Sequence, residues 1–343
     1  MDLQHTERNE FVSEPVPDWA HRARAWDQFL ESAHPEIGFK QASWWADFRS
    51  AVGWGCFGAV IKDDETILGG AWVMTRTFAP GKCFYYIPDG PVLPENDADA
   101  AEVFQAVLDF VHAKRAADPL QVSHLRLEPR WRQRPEFVRD FVEAKGSLQP
   151  RRTLYVDLRA PEAGILAQVK PKGRYNIGVA QRNGVTVKED VSTQGLTDFL
   201  AIYGETISRH DLGAKSAEYF DFLLGRLVPL ERGSLLFAEY KGMRLAAALV
   251  IDSGDRATYL YGGSRLADRQ VMAPYLLHYE AMLRAKARGH AWYDFYGIAP
   301  PDRPDHPWAA FSAFKRKFGG LELRFVPSLD LIYDPASYEE YLA

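Results

Sequence analysis

The sequence predicts an α/β fold in which two similar units follow one another, each built on a mixed β-sheet. Helical and strand periodicities alternate along all 343 residues, and the order of predicted elements in the first half recurs in the second. No low-complexity linker separates the halves, and the length favours two domains over one. We therefore expect a first domain at residues 1–157, onto which residues 329–343 pack back, and a second domain at residues 158–328, with a cleft between them.

The elements of the first half follow from apolar periodicity and residue type. Its helices carry apolar residues on one face, as Trp45, Phe48 and Val52 do, and its strands are rich in aromatic and β-branched residues. In chain order we predict two helices, "PDWAHRARAWDQFLESA" and "QASWWADFRSAV", three strands, "CFGAVIK", "ILGGAWVMTRTF" and "CFYYIP", a helix near residues 98–115, a strand "HLRLEP", a helix "PEFVRDFVEAKG" and a strand "TLYVDL".

The second half begins with helices and continues with a β-meander. The helix "ILAQVKPKGRYNIGVAQRNG" has a local break at Pro171 and Gly173, and "LTDFLAIYGETISRH" and "AEYFDFLLGRLV" are helical. Three antiparallel strands follow in "SLLFAEYKGMRLAAALVIDSGDRATYLYGGS", with turns at Lys241-Gly242 and Ser253-Gly254.

The rest of the second half completes the repeat. A helix buries a stripe of Met272, Tyr275, Leu276, Tyr279 and Leu283. The strand "AWYDFYG", a short glycine-terminated helix "PWAAFSAFKRKFGG" and the strand "ELRFVP" follow. Two helices, a meander, a helix, a strand, a helix and a strand are typical of an acetyltransferase-like unit, so the repetition indicates a tandem duplication.

Composition excludes several classes of protein. The two cysteines have no metal-ligand spacing and are too few for a disulfide framework, so we expect no metal and a reducing compartment. The start "MDLQHTERNEF" is polar and unlike a secretory signal, and no apolar stretch is long enough to span a membrane. A cytoplasmic protein is therefore expected. The net charge of −5 gives no overall attraction to nucleic acid, so contact with RNA requires a local basic patch.

Two clusters supply such local positive charge. The stretch "KPKGRYNIGVAQRNG" holds four basic residues and no acidic one, and "FKRKFGG" lies in a segment without acid between Asp305 and Glu322. A solvated charged face explains the spacing equally well. Gly173 and Gly178 favour the alternative, because they allow the close approach of a phosphate chain. We therefore predict that the clusters bind polyanions.

Common catalytic motifs are missing from the sequence. It contains no Gly-x-Ser-x-Gly elbow, P-loop or His-Glu-x-x-His motif. The segment "QRNGVT" lacks the final small residue of the acetyltransferase pyrophosphate loop, so we expect an acyl donor other than coenzyme A and no cofactor. Asp294 lies in an otherwise apolar strand and should need a local hydrogen-bond partner.

Four ordered motifs resemble those of the Fem aminoacyltransferases. They are "KPKGRYNIGVAQRNGV", "YLYGGS...APYLLHYEAM", "YDFYGI" and "FSAFKRKFGG", and the resemblance is strongest between about residues 152 and 326. Members of that family add amino acids from aminoacyl-tRNA to the stem-peptide lysine of peptidoglycan precursors. The resemblance implies paired acetyltransferase-like domains. It also implies the compact type, which lacks a long helical arm and acts on a soluble UDP-linked pentapeptide.

The resemblance also implies roles for individual residues in binding the acceptor. The pyrophosphate-binding pair falls on Arg49 and Lys215, in the reverse order of lysine and arginine from that usual in the family. Tyr219 and Tyr261 match tyrosines that contact the substrate. Glu128 replaces a family aspartate, with one extra methylene, and is a candidate catalytic residue.

The donor end is implied by the same resemblance. Phe314 and Lys315 match a Phe-Lys pair at the catalytic end that receives the tRNA acceptor. The residues expected to contact tRNA are Lys170, Lys172, Arg174, Arg182 and Arg316.

The implied partners are aminoacyl-tRNA and a UDP-linked or lipid-linked muramyl peptide. We expect no DNA partner, a monomer, and at most peripheral contact with a membrane. Two alternatives remain open: a related acyltransferase with another donor or acceptor, such as an exopolysaccharide or a small amine, and a non-catalytic protein that binds tRNA or a sugar nucleotide.

Overall fold

The computed structural model describes residues 9–11, 17–210 and 213–343, with side chains described from residue 23 onward except at position 210. The first eight residues of the polar start lie outside this range. The described chain forms two compact units. Unit 1 comprises the residues up to Arg151 together with Phe325–Ala343, and unit 2 comprises Arg152–Arg324.

Regular elements occupy most of both units. The strands are β1 (Asn9–Phe11), β2 (Gly55–Asp63), β3 (Thr66–Ala79), β4 (Lys82–Asp89), β5 (Gln121–Pro129), β6 (Val142–Glu143), β7 (Arg152–Asp157), β8 (Thr186–Glu189), β9 (Gly233–Tyr240), β10 (Met243–Ser253), β11 (Arg256–Ser264), β12 (Trp292–Gly297), β13 (Leu321–Arg324) and β14 (Leu329–Ile332). The helices are α1 (Pro17–Ala33), α2 (Ser43–Ala51), α3 (Asp97–Ala117), α4 (Glu162–Gln168), α5 (Pro171–Arg182), α6 (Thr193–His210), α7 (Ala217–Leu227), α8 (Ala273–Ala287), α9 (Ala309–Lys315) and α10 (Pro335–Leu342).

Unit 1 contains a mixed sheet with the strand order β1-β2-β3-β4-β5-β14-β6. All neighbouring pairs are antiparallel except β4 and β5, which run parallel and are connected through α3. The inner face of α3 buries Val103, Phe104, Val107 and Val111 against the apolar side chains of the sheet. The C-terminal strand β14 pairs with β5, so the end of the chain belongs to this unit.

Unit 2 repeats this arrangement with the strand order β13-β7-β12-β11-β10-β9-β8. Here β11 and β12 are the parallel pair, and α8 connects them. Two mixed sheets of matching order confirm the predicted fold class. The strand β7, which the predicted boundary at residue 157 assigned to the first domain, pairs with β12 and β13 and so belongs to unit 2.

Most predicted elements are confirmed, and the helix predicted at "PEFVRDFVEAKG" is wrong. A single 3₁₀ turn at Glu136–Val138 and the short strand β6 stand there instead. The guanidinium of Arg134 donates to the backbone oxygens of Val138, Arg139 and Phe141, which a continuing helix would use for its own hydrogen bonds. Val138 and Phe141 are both buried, so the tight turn serves the core.

The stripe predicted for α8 is correct only in part. Leu276 and Tyr279 are buried, but Met272 precedes the helix in the left-handed conformation, with φ of 58°. Fully buried His278 and Met282 lie outside the predicted stripe, because α8 packs against both the sheet and α5. No helix within the described ranges is long and apolar enough to cross a membrane.

Candidate active site

The parallel strands of unit 2 diverge at their carboxyl ends. Pairing between β11 and β12 runs from Arg256 opposite Trp292 to Thr258 opposite Asp294 and stops there, although both strands continue. In unit 1 the equivalent strands β4 and β5 stay paired as far as Asp89 opposite Pro129. Unit 2 therefore has a gap between its parallel strands that the sheet of unit 1 lacks.

A bulge in β12 bends that strand away from its neighbour. Tyr296 adopts the left-handed conformation, with φ of 59°, and the register against β7 shifts between Asp294 and Gly297. The buried carboxylate of Asp294 accepts hydrogen bonds from the Tyr296 backbone N–H, at 2.7 Å, and from the Thr153 hydroxyl. These bonds offset the conformational cost of a non-glycine residue at positive φ. The expectation that Asp294 has local hydrogen-bond partners is confirmed.

The side chain of Lys315 lies in this gap. Lys315 is 8% exposed, and its Nζ donates to the backbone oxygen of Gly297, the last residue of β12, at 2.8 Å. The same Nζ lies 5.6 Å from the ring centroid of Tyr259, the first β11 residue beyond the paired segment, and 5.2 Å from that of Phe311. The amine therefore lies between the two diverging strands.

Burial determines the protonation of this group of side chains. Desolvation lowers the pKa of Lys315 to about 7, while the carboxylate of Asp294 acts in the opposite direction. Lys315 therefore exchanges between ammonium and amine near neutral pH. Burial, with the nearby charge of Lys315 as the smaller cause, lowers the pKa of His278 to about 3, so this imidazole is neutral. Its Nδ1 lies 3.0 Å from the Tyr293 hydroxyl.

Phe314 holds the helix that carries Lys315. Its ring lies 5.0 Å from that of Tyr275 and 5.4 Å from that of Phe318, which is fully buried. Phe318 lies in the 3₁₀ turn Arg316–Phe318 that follows α9, so this contact ties the turn to the helix. Lys315 follows Phe314 by about 100° around the helix and so points to a different side.

The predicted acceptor residues of unit 2 form one contiguous group. The ammonium of Lys215 lies 5.5 Å from the ring centroid of Tyr219, and the hydroxyls of Tyr219 and Tyr261 share a hydrogen bond of 2.9 Å. Ser216 caps α7 by accepting from the Tyr219 backbone N–H at 3.1 Å. Burial is the main cause that raises the pKa of Tyr261. Tyr261, like Tyr259, lies on the part of β11 that is no longer paired with β12.

A second chain of contacts links Arg49 with Glu128 inside unit 1. The Arg49 guanidinium lies 4.3 Å from the ring centroid of Trp54, whose ring lies 6.1 Å from that of Tyr86. The Tyr86 hydroxyl donates to Glu128 at 2.6 Å. Arg76, which the sequence analysis did not single out, lies 5.0 Å from the same Trp54 ring. Arg76 and Trp54 are far apart in the sequence and meet only in the folded sheet, so no local motif marks Arg76.

The surroundings of Glu128 favour a structural role. Besides the bond from Tyr86, its carboxylate accepts hydrogen bonds from the Leu148 backbone N–H at 2.6 Å and from the Ser328 hydroxyl at 2.7 Å. Burial raises the pKa of Glu128, and these donors act in the opposite direction. The carboxylate thus ties β5 to two loops, which leaves its predicted catalytic role without support from this geometry.

The two basic clusters form one surface in unit 2, which we call the basic patch. It comprises the exposed face of α5 and the turn at Arg316–Phe318. The Lys170 backbone N–H donates to the Lys317 oxygen at 2.8 Å, and a Cβ at Gly173 would lie 2.6 Å from that oxygen. Glycine therefore allows the helix to approach the turn.

The basic residues of the patch differ in their contacts. Arg174 donates to the Val169 backbone oxygen, and Arg316 pairs with Glu322 at 2.7 Å. Arg174 is exposed despite this bond, as are Lys170, Lys172 and Arg182. The last three are thus the better candidates for binding phosphate.

Comparison with known sequences identifies the family of this chain. The sequence model of the FemAB family matches residues 140–226 and 234–342, which is more than half of the chain. The chain belongs to the FemAB family. The family match includes the gap, the tyrosine pair and the basic patch, whereas Arg49 and Glu128 lie outside the matched residues.

Two relatives of this FemAB protein are distant in sequence but align with it over most of their length. It is 20% identical over 388 aligned positions to the lipid II:glycine glycyltransferase of Staphylococcus epidermidis, covering 91% of this chain and 92% of the relative. The same enzyme of Staphylococcus saprophyticus is 20% identical over 405 positions, covering 94% of each chain.

Solved structures show the same fold. The crystal structure of FemX superposes with a TM-score of 0.83 at 18% identity, covering 95% of this chain and 98% of that one. A tandem GNAT protein from the clavulanic acid biosynthesis pathway gives a TM-score of 0.53 at 12% identity, covering 96% and 99%.

Among the described residues, no cluster of three or more His, Cys, Asp or Glu side chains could hold a metal ion.

Proposed function

We propose that this FemAB protein is a tRNA-dependent aminoacyltransferase that adds an amino acid to the stem-peptide amine of a peptidoglycan precursor. Family membership and relatives named as glycyltransferases support aminoacyl transfer as the reaction class. The observation that carries the proposal is the buried amine of Lys315 in the gap between β11 and β12. A small acyl group can enter between strands that diverge, and Lys315 would meet it there.

The reaction joins the acceptor nitrogen to the carbonyl carbon of the aminoacyl ester. The bond from that carbon to the ribose oxygen breaks, the nitrogen loses a proton, and the ribose leaves as its hydroxyl. Because an aminoacyl ester is already reactive, the enzyme must chiefly position the two substrates and stabilise negative charge on oxygen.

Lys315 provides this stabilisation in the proposed mechanism. One N–H of its ammonium is held by the Gly297 oxygen, and an ammonium has two further N–H groups for the ester oxygen. A pKa of about 7 also allows the ammonium to give up a proton near neutral pH. Its aromatic surroundings exclude water, which strengthens the interaction with developing negative charge.

The proposed acceptor site has a cation beside two hydroxyl groups. In unit 2, Lys215 with Tyr219 and Tyr261 combines a cation and hydroxyl groups, which suits a diphosphate next to a sugar. Arg49, in unit 1, is the second cation that the family resemblance predicts for the acceptor. The acceptor is a UDP-linked or lipid-linked muramyl peptide, and the names of the relatives favour the lipid-linked form.

The basic patch is the proposed contact for the tRNA acceptor arm. Its turn at Arg316–Phe318 directly follows α9, the helix that ends with Lys315. A tRNA held on this surface by its phosphates could therefore present its 3′ end to Lys315. The proposal gives tRNA contacts to Lys170, Lys172 and Arg182, with Arg174 and Arg316 shaping the surface.

A transfer assay tests the proposal. Purified protein is incubated with charged tRNA and either UDP-linked pentapeptide or lipid II, and a parallel reaction contains acetyl-coenzyme A in place of tRNA. We expect transfer only from charged tRNA, and Lys315→Met should reduce it far more than the neighbouring Lys317→Met. Transfer from acetyl-coenzyme A would support the alternative acyltransferase, and binding without any transfer would support a non-catalytic protein.

A further inference from the structure

Tyr175 is exposed, whereas the other aromatic rings that the structure describes are covered. It is 59% exposed, near the middle of α5. Among the residues whose side chains the structure describes, it is the only exposed Phe, Trp or Tyr. The chain contains 45 such residues, from 20 Phe, 9 Trp and 16 Tyr, so this exposure is unusual for the molecule. An exposed aromatic ring within a charged surface often marks a binding site.

The side chains around Tyr175 are basic or very small. The ammonium of Lys172 lies 4.8 Å from the centroid of the ring. Gly178, one turn further along the helix, places no side chain next to the ring. A Cβ at Gly178 would lie 3.1 Å from a terminal nitrogen of Arg182, so that guanidinium reaches back toward the same face.

The exposed face of α5 thus presents an ammonium, an aromatic ring and a guanidinium in succession. From Lys172 to Arg182 the helix rises about 15 Å. No Asp or Glu occurs between Glu162 and Glu189, so no acidic residue in this stretch repels an anion. Single-stranded nucleic acids bind to such surfaces by stacking bases on aromatic rings and placing phosphates against cations.

We propose that Tyr175 is a stacking platform for an unpaired base of RNA, with Lys172 and Arg182 contacting the phosphates on either side. This inference rests on the proposed tRNA-dependent function and adds a recognition element to it. An acidic peptide would use the cations but would gain little from the flat ring. The basic patch therefore binds single-stranded RNA through base stacking as well as through charge.

The test measures the binding of two probes, uncharged tRNA and a single-stranded RNA oligonucleotide that carries one 2-aminopurine. Tyr175→Leu keeps an apolar side chain and removes the ring, so we expect about five- to hundred-fold weaker binding, the range typical for losing one base stack. Because no charge is lost, the slope of log affinity against log salt should not change. Lys172→Gln should lower that slope by about 0.7, as expected for one phosphate contact on a single strand.

Substitutions at matched positions control for stability and for general polyanion binding. Tyr175→Trp should preserve affinity and quench the 2-aminopurine fluorescence. Tyr240→Leu is the matched control, because the ammonium of Lys241 lies 5.1 Å from the Tyr240 ring centroid. Tyr240 lies at the β9–β10 turn and not on α5, so this variant should leave RNA affinity unchanged.

Three outcomes would overturn the inference, and they are distinguishable. If wild-type protein binds RNA and Tyr175→Leu binds equally well, the stacking role fails and the proposed function survives. If Tyr175→Leu weakens binding of polyglutamate as much as binding of RNA, the ring contributes to polyanion binding in general. If wild-type protein binds neither RNA probe, the tRNA-dependent function fails together with the stacking role.

Discussion

Replacing Lys315 with methionine keeps most of the buried side-chain stem and removes the titrating amine. In the folded protein the pKa of Lys315 is about 7, against 10.5 for an ordinary lysine, because burial disfavours the charged form. The unfolded chain therefore binds this proton more tightly than the folded chain. Between about pH 7 and 10.5 the wild-type protein must release a proton on folding, so its stability rises with pH across that window.

The size of the effect follows from the shift in pKa. A difference of about 3.5 pH units corresponds to about 5 kcal/mol between the limits below pH 7 and above pH 10.5. Between pH 7 and 9 the free energy of unfolding of the wild type should therefore rise by about 2 kcal/mol relative to that of Lys315→Met. Losing the hydrogen bond to Gly297 costs the variant about 1–3 kcal/mol at every pH, which leaves this slope unchanged.

Urea denaturation at pH 7, 8 and 9 measures the difference, and Lys317→Met, two residues further along the same segment, is the control. At neutral pH the variant loses the hydrogen bond to Gly297 but also escapes the cost of burying the amine, so its melting temperature should stay near that of the wild type. Transfer should fall about a hundred- to thousand-fold. Denaturation curves whose difference is constant from pH 7 to 9 would refute the lowered pKa. Equal losses of activity in the two variants would refute the catalytic assignment of Lys315.

Three other variants test further assignments. Arg49→Ala should weaken binding of UDP-linked pentapeptide by about 1–3 kcal/mol in calorimetry, whereas Arg139→Ala, at an exposed position, should not; equal affinities would remove Arg49 from the acceptor site. Glu128→Gln should lower the free energy of unfolding by about 1–3 kcal/mol with little change in kcat, and a large loss of kcat at unchanged stability would make Glu128 catalytic. Charge reversal of Lys172 together with Arg182 should reduce tRNA use and flatten its salt dependence; unchanged kinetics across a salt series would make the exposed face of α5 a solvated surface.

Local sequence patterns predicted most helices, strands and turns, because interactions between residues close in the chain largely determine these elements. The helix predicted at "PDWAHRARAWDQFLESA" is α1, with the same bounds, and the turn predicted at Lys241-Gly242 has positive φ at both residues. The predicted helix at "PEFVRDFVEAKG" failed because the side chain of Arg134 binds backbone oxygens that local patterns assign to the helix. That competition depends on where a single guanidinium points, which spacing does not encode.

The sequence by itself determined the order of helices and strands, the repeat of that order, and the concentration of basic residues in two segments. Only the tertiary structure decided that the backbones of Lys170 and Lys317 meet, so that the two segments form one surface. It also decided that β11 and β12 diverge while β4 and β5 stay paired. Lys315 and Lys317 are the same residue type in one heptapeptide, yet only Lys315 is buried between diverging strands. Desolvation by residues distant in the chain gives Lys315 its low pKa, and short-range patterns carry no record of that burial.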